Sequence, residues 1–235
     1  MNDSAYFRAL ARGALANRWG LAVGVGAVAS ILGGISFGGD LDFSIIDSLS
    51  EQSPENLTTS LSSSDIIALV ISIISTLFFI LLSIFLSSVV SVGYAKFNLD
   101  LHDWLEIPKF NTLFKYIRIW KTAVTTTLLQ ILYILLWSLL FIIPGIIAAY
   151  NYAMTSYILA ENPNLTASQA LEMSKTIMNG NRWRLFCLTF SFIGWHLLAA
   201  LTLGIGELWV VPYEQAAIAA FYKEISSNCY EPQAA

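Results

Sequence analysis

The chain has 235 residues, of which 56% are hydrophobic and only 12% are charged, and its formal net charge is −4. A soluble globular protein carries about 25% charged residues, so this composition excludes an ordinary soluble domain. Its Lys and Arg residues are scattered and do not form a patch, which argues against a nucleic-acid partner. Two cysteines far apart cannot supply a disulfide framework.

Four long stretches contain no Asp, Glu, Lys or Arg. They are 19–39, 66–95, 122–160 and 185–206. About 20 apolar residues in a helix cross a 30 Å hydrocarbon core, so each stretch is long enough for at least one membrane span. The sequence therefore predicts an all-α integral membrane protein.

The segments between these stretches differ in charge. Residues 40–65 contain Asp and Glu but no Lys or Arg, whereas 1–18, 96–121 and 161–184 all carry Lys and Arg. Short loops rich in Lys and Arg stay in the cytoplasm. This rule predicts a multi-pass protein of the cell membrane, with both termini in the cytoplasm and an acidic loop outside.

This topology requires two stretches to turn back on themselves. Proline lacks the N–H that a helix needs and glycine tolerates a reversal, so clusters of these residues are the predicted turns. The predicted helix-breaking residues are Pro144, Gly145, Gly204, Gly206 and Pro212. The result is six transmembrane segments arranged as three hairpins.

An amphipathic stretch and an Arg-Trp pair precede each predicted hairpin. The stretches 4–17, 109–120 and 165–180 repeat apolar residues at helical spacing and are predicted to lie in the cytoplasmic membrane interface. Trp prefers the headgroup level and Arg reaches the phosphates, so the pairs are interpreted as anchors, with a specific headgroup site as the alternative. The anchors are Arg18, Trp19, Arg118, Trp120, Arg182 and Trp183.

These repeats divide a single polytopic domain, 1–235, into three units and a tail. The units are 1–95 with its external loop 40–65, 96–160 and 161–223, and the cytoplasmic tail is 224–235.

Several polar residues are predicted to lie inside the membrane. His196 is near the middle of 185–206, and ionisable groups at that depth are candidates for function. A central carboxylate costs about 2.5–3.5 kcal/mol on insertion scales, so Glu214 needs a partner, for which His196 is the candidate. In the alternative interpretation His196 only locks the bundle. The candidate ligand-binding residues are Asn151, Tyr152, Tyr157, His196, Tyr213, Glu214 and Gln215.

Two apolar segments, 145–160 and 208–222, are short and interrupted by Gly or Pro at corresponding positions of two units. Such segments are typical of a transporter site near the bilayer midplane. The sequence thus favours binding or transport of an amphipathic or lipid-like solute between the last two hairpins. The alternative is a regulatory, assembly or peptide-immunity partner that acts by protein–protein contact.

The sequence contains no recognisable catalytic motif. There is no nucleotide-binding loop, zinc-ligand spacing or nucleophile motif, and no pair of acids within a predicted span. We therefore predict a protein that is not an enzyme and has no metal or cofactor. The expected partners are membrane lipids and either a small amphipathic ligand or another membrane protein.

The second half of the chain contains several distinctive strings. They include "IIPGIIAAY" at 142–150, "YILAENPNLT" at 157–166, "NRWRLF" at 181–186 and "LTLGIGELW" at 201–209. Over residues 115–223 the chain resembles the bacterial integral-membrane family catalogued as domain of unknown function 975. It is also distantly similar to the membrane domain of some glycerophosphodiester phosphodiesterases, whose catalytic residues have no counterpart here. The resemblance implies a polytopic membrane protein and brings no activity with it.

Overall fold

The computed structural model describes residues 3–16, 18–31, 63–103 and 110–230, so most of the predicted external loop 40–65 lies outside it. These described residues form ten α-helices and a 3₁₀ helix, without a strand, which confirms the all-α class. The helices are α1 (Ser4–Leu15), α2 (Trp19–Ile31), α3 (Ser63–Asp103), the 3₁₀ helix (Phe110–Ile119), α4 (Trp120–Leu140), α5 (Ile142–Tyr152), α6 (Thr155–Glu161), α7 (Ala167–Ile177), α8 (Arg182–Phe190), α9 (Ile193–Leu201) and α10 (Glu207–Tyr230).

Four helical stretches in the described part of the chain are long and apolar enough to cross a membrane. They are Val70–Asp103, Tyr116–Leu140, Ile142–Glu161 and Arg182–Leu201, while Trp19–Ser30 is apolar but shorter. The helix α10 is not among them, and it carries four acidic or basic residues: Glu207, Glu214, Lys223 and Glu224.

The helices α4 and α5 are antiparallel neighbours. The chain reverses at Phe141, whose backbone is extended (φ −160°, ψ 149°). A Cβ on Gly145 would lie 2.2 Å from Ser138 Oγ, and the rings of Tyr133 and Tyr152 stack with centroids 5.8 Å apart. The reversal therefore precedes the predicted break, and Gly145 serves close packing between the two helices.

Pro144 does not break a helix. It lies in the first turn of α5, where the N–H that proline lacks has no intrahelical acceptor. Pro212 was also predicted as a break and lies inside α10. Its ring packs in the bundle, 3.7 Å from the position that a Cβ on Gly26 would occupy. Prolines inside membrane helices are tolerated because neighbouring groups take up the freed backbone bonds.

The turn between α9 and α10 occupies residues 202–206, as predicted from its glycines. Gly204 has φ +83°, in the left-handed region that glycine enters without strain. A Cβ on Gly206 would lie 2.7 Å from the Cα of Ala199, so the missing side chain lets the start of α10 contact α9. Gly204 and Gly206 are therefore the residues that close this hairpin.

The two segments predicted to be short are longer in the structure. The first lies within the stretch Ile142–Glu161, which has 20 residues. The second is part of α10, which has 24 residues and extends through Tyr230 into the predicted tail. At 1.5 Å per residue these helices are about 30 Å and 36 Å long, enough to cross a hydrocarbon core.

The last helix is the centre of the bundle. Every residue of α10 from Glu214 to Tyr222 is buried, and α10 packs against α1, α2, α3 and α9. Its buried face includes Ala216, Ala217, Ala219 and Ala220. Small side chains let neighbouring helices approach closely where lipid removes the hydrophobic drive between them.

The amphipathic helices α1 and α7 bury apolar residues against the rest of the bundle. Phe7 of α1 meets Phe221 of α10 edge to face, with ring centroids 5.4 Å apart. In α7, Ala170, Leu171 and Ser174 are buried. Other helices of the bundle therefore cover much of the apolar faces of α1 and α7, whereas Ile117 of the stretch 109–120 is 54% exposed, and the position of the three stretches in the membrane interface stays a prediction. The predicted capping box of α7, between Thr166 and Gln169, is confirmed.

Charged side chains gather at one end of the bundle. Lys96 pairs with Asp100 at 2.9 Å, Lys223 pairs with Asp103, and Arg184 pairs with Glu224 at 2.5 Å. The guanidinium of Arg184 also lies over the rings of Phe7 and Phe221. The turns at 141 and 202–206 lie at the opposite end, because α4 and α9 run away from this charged end and α5 and α10 return toward it.

The predicted anchors differ in their environment. The indole rings of Trp120 and Trp183 are exposed, at 42% and 71%, whereas Trp19 packs against Tyr213 of α10. The Arg partners lie beside them, with Arg118 exposed and Arg18 and Arg182 half-buried. Their role as lipid anchors stays a prediction.

Gly93 allows α3 and the 3₁₀ helix to touch, and its replacement should destabilise the bundle. A Cβ at this position would lie 2.2 Å from the carbonyl oxygen of Leu113 and 2.7 Å from its Cα. We expect Gly93→Ala to lower the free energy of unfolding by about 1–3 kcal/mol through overpacking. In Gly194→Ala, the matched control, the new Cβ enters open space, so thermal unfolding in detergent should show no loss. Equal melting temperatures for Gly93→Ala and the wild type would contradict the contact.

Candidate functional site

An imidazole lies between two carboxylates at the junction of α9 and α10. His196 Nδ1 is 3.0 Å from Glu207 Oε2, and His196 Nε2 is 2.9 Å from Glu214 Oε2. Glu207 and Glu214 are seven residues apart, two helical turns, so they share one face of α10. The tight turn at 202–206 brings α9 back along this face, and His196 thereby bridges the two acids. The predicted pairing of His196 with Glu214 is confirmed.

The three groups form a line from the turn into the bundle. The side chain of Glu207, the first residue of α10, is 38% exposed, that of His196 30%, and that of Glu214 only 1%. A neutral imidazole donates one hydrogen bond, and an imidazolium donates two. Because a carboxylate lies beside each ring nitrogen, the ring can donate a hydrogen bond to both acids only when both nitrogens carry a proton. The line therefore forms a site that can hold and pass on a proton.

A cavity of about 220 Å³ opens beside this line. It lies between α5, α8, α9 and α10 and is lined by Tyr150, Phe186, Thr189, Phe190, Ile193, His196 and Glu214. The rings of Phe186 and Phe190 stack with centroids 5.7 Å apart, and Tyr150 meets Phe186 edge to face at 6.2 Å. The walls are thus mainly aromatic and apolar, with one buried acid and its imidazole.

A second hollow, of about 260 Å³, lies between α1 and the C-terminal end of α3. Its lining includes Tyr6, Leu10, Gly13 and His102. It contains no cluster of ionisable groups. We therefore consider the cavity beside His196 and Glu214 the candidate site.

Two other predicted residues pair with each other next to this site. Tyr157 of α6 donates a hydrogen bond to Gln215 Oε1 at 3.2 Å, and its ring stacks on Tyr222 at 5.4 Å. Gln215 adjoins Glu214 on α10, and Tyr157 interacts electrostatically with Glu214. This pair therefore lies next to Glu214 on α10 but does not line the cavity.

The remaining predicted residues point elsewhere. Tyr152 stacks on Tyr133 of α4, and the hydroxyl of Tyr213 donates to the backbone carbonyl of Arg8 at 3.3 Å. The backbone carbonyl of Asn151 accepts a hydrogen bond from Ser174 at 2.8 Å. The structure does not bring these three residues to the cavity.

The site lies about midway between the turn and the middle of the stretch Arg182–Leu201. His196 lies five residues before Leu201, where α9 ends, and this is about 8 Å along a helix. The sequence placed it centrally because the uncharged stretch 185–206 was read as one helix. The turn takes the last residues of that stretch, and α8 begins earlier, at Arg182.

Sequence reasoning missed Glu207 and most of the aromatic lining. Glu207 follows the glycine turn and was read as part of it, although its spacing of seven residues from Glu214 indicates a shared helix face. Tyr150 is adjacent to the predicted Asn151. No periodic signal distinguishes Phe186 and Phe190 from lipid-facing residues, so only the packing of α8 on α5 reveals them.

The family described as "Protein of unknown function (DUF975)" matches residues 40–229. The chain belongs to the DUF975 family. The matched region contains every residue of the cavity and the Glu207–His196–Glu214 line, so the site lies within the part that defines the family. No curated protein and no solved structure matches the chain. The more distant similarity to the phosphodiesterase membrane domain stays a prediction.

Among the residues that the structure describes, no group of three His, Cys, Asp or Glu side chains is arranged to hold a metal ion. In the DUF975 chain both nitrogens of His196 already face carboxylates. The arrangement therefore favours proton chemistry at this imidazole.

The pairing of His196 with Glu214 should appear in a double-mutant cycle. Removing one partner of a buried charge pair costs roughly 3–5 kcal/mol, because it leaves a charge in apolar surroundings. We therefore expect His196→Leu to destabilise the protein strongly, and His196→Leu/Glu214→Leu to recover much of the loss. Glu207→Gln, at the exposed end of the line, should cost less. Strictly additive changes in unfolding free energy in detergent would contradict the pairing.

Proposed function

We propose that this DUF975 protein binds an amphipathic or lipid-like solute in the cavity between α5, α8, α9 and α10, and carries it across the cell membrane. The observation that supports the proposal is the cavity itself. Its lining is mostly aromatic and apolar and includes a carboxylate that is 1% exposed and hydrogen-bonded to an imidazole. Small-molecule sites are typically concave and mostly apolar, with a few polar groups that orient the ligand.

The cost of the buried charge supports a functional role. An ionisable residue inside a membrane protein is expensive and usually faces an interior cavity or pathway. Glu214 and His196 both line the cavity. A purely structural contact between α9 and α10 could be made by apolar residues at lower cost. We propose a protein that is not an enzyme, and the cavity supports the binding of a solute.

The orientation in the membrane is part of the proposal. We infer six membrane segments in three hairpins, with both termini in the cytoplasm. The ion pairs of Lys96, Arg184 and Lys223 at one end of the bundle support this, because cationic side chains are retained on the cytoplasmic side. The turns at 141 and 202–206 then face outward, and the site opens near the outer leaflet.

Filling the cavity should displace a bound molecule. Ile193 lines the cavity, and Ile193→Trp adds a large ring there. Native mass spectrometry of the wild-type protein should show an adduct that Ile193→Trp lacks. Leu198→Trp is the matched control, because Leu198 is 58% exposed and lies on another face of α9, and this variant should retain the adduct. A wild-type spectrum without an adduct, or an adduct retained by Ile193→Trp, would contradict the proposed site.

The same measurement distinguishes the alternative function. A co-purifying polypeptide that resists Ile193→Trp would indicate a regulatory or assembly partner that binds outside the cavity.

The topology can be tested with the cysteine at the end of α10. In intact cells producing Cys187→Ser, a membrane-impermeant maleimide should leave Cys229 unlabelled, and permeabilisation should expose it. The control variant carries Cys187→Ser, Cys229→Ser and Ser53→Cys, and its thiol in the predicted external loop should react in intact cells. Labelling of Cys229 before permeabilisation would overturn the orientation.

A further inference from the structure

We propose that the solute is an organic cation with an aromatic or apolar body, and that its binding at Glu214 releases one proton from His196. This inference rests on the proposed function and specifies its ligand class. It follows from the hydrogen-bond geometry of the Glu207–His196–Glu214 line and from the composition of the cavity beside it.

The charge of the site selects a cation. With His196 as imidazolium, the two carboxylates leave the line with a net charge of −1. An anionic solute would add a second negative charge in apolar surroundings, which is strongly unfavourable. A cation can instead take the place of the imidazolium beside Glu214, and the net charge of the site stays at −1 when the ring becomes neutral.

The aromatic walls favour the same ligand class. Tyr150, Phe186 and Phe190 line the cavity together with Glu214. Organic cations are attracted to the faces of aromatic rings, and the attraction strengthens when water is excluded. A cationic head beside Glu214 and an apolar body against these rings would satisfy both parts of the cavity.

The proton has a defined route. When a cation binds Glu214, Nε2 of His196 loses its acceptor and gives up its proton, while Nδ1–H continues to donate to Glu207. The ring becomes neutral and the proton leaves as a hydronium ion or on buffer. The side chain of His196 is itself 30% exposed, so the Nε2 proton can pass directly to water. No bond other than N–H breaks.

The ionisable groups around His196 are consistent with this exchange. Glu207 and Glu214 face it from α10, and Tyr150 faces it from α5 across the cavity. Tyr157 of α6 donates to Gln215, the residue next to Glu214 on α10. An imidazole ordinarily titrates near neutral pH, so we assign the released proton to His196.

The test uses a cation and its neutral isostere on the full chain in lipid nanodiscs. Trimethylphenylammonium and tert-butylbenzene have the same shape and differ by one charge. We expect the cation to bind at least about ten-fold more tightly than the neutral compound. A ten-fold difference in affinity corresponds to about 1.4 kcal/mol, and a single charge-assisted contact contributes more than this. Titration calorimetry in two buffers of different ionisation enthalpy should show release of about one proton per cation bound. Affinity should fall as the pH is lowered, approaching about ten-fold per pH unit, because protons compete.

Variants divide the roles of the two partners. Glu214→Gln should abolish cation binding, whereas His196→Gln should bind the cation without releasing a proton. Size-exclusion profiles verify folding, and the comparison of the two isosteres on wild-type protein needs no variant. If the wild-type protein binds the cation without releasing a proton, the proposed exchange is wrong.

The outcome also separates this inference from the proposed function. Equal binding of the two isosteres overturns the cation while leaving a solute site in place. If neither compound binds but the adduct displaced by Ile193→Trp is present, only the cation inference fails. If neither compound binds and no adduct exists, both proposals fail.

Discussion

The cost of placing a charge in apolar surroundings governs this structure. It limits the long helices to uncharged residues over most of their length and gathers Lys96, Arg184 and Lys223 at one end with acidic partners. Ion pairs at that end join α3, α8 and α10, and the rings of Phe7 and Phe221 extend the contact to α1. Against this background, Glu214 is the exception that requires an explanation.

The central helix unites stability and function. The alanines of α10 let its neighbours approach, and the same helix presents Glu207 and Glu214 to α9. The turn at 202–206 therefore contributes both to the fold and to the site, because Gly206 lets α9 and α10 approach closely. The helix α10 is less apolar than the helices around it because it carries acidic and basic residues. Its composition alone therefore does not identify it as a membrane span.

Much of the architecture was predictable because helix signals are local. The capping box of Thr166 and Gln169, the apolar face of α1 and the reversal at Gly204 all follow from residues within a few turns of one another. The prediction of helix breaks at Pro144 and Pro212 was wrong for a physical reason. Proline is excluded from helices in water more strictly than in a packed membrane bundle, and its effect depends on its position within the helix.

The sequence by itself determined that the chain is an all-α membrane protein and that His196 and Glu214 pair, because charge exclusion and the cost of an isolated buried carboxylate act wherever these residues occur. Only the tertiary structure decided that Glu207 completes the line, that Tyr150, Phe186 and Phe190 share a cavity, and that Tyr152 and Tyr213 do not. These facts depend on which helices become neighbours and how they rotate. Side-chain periodicity fixes the buried face of a helix but not its partner.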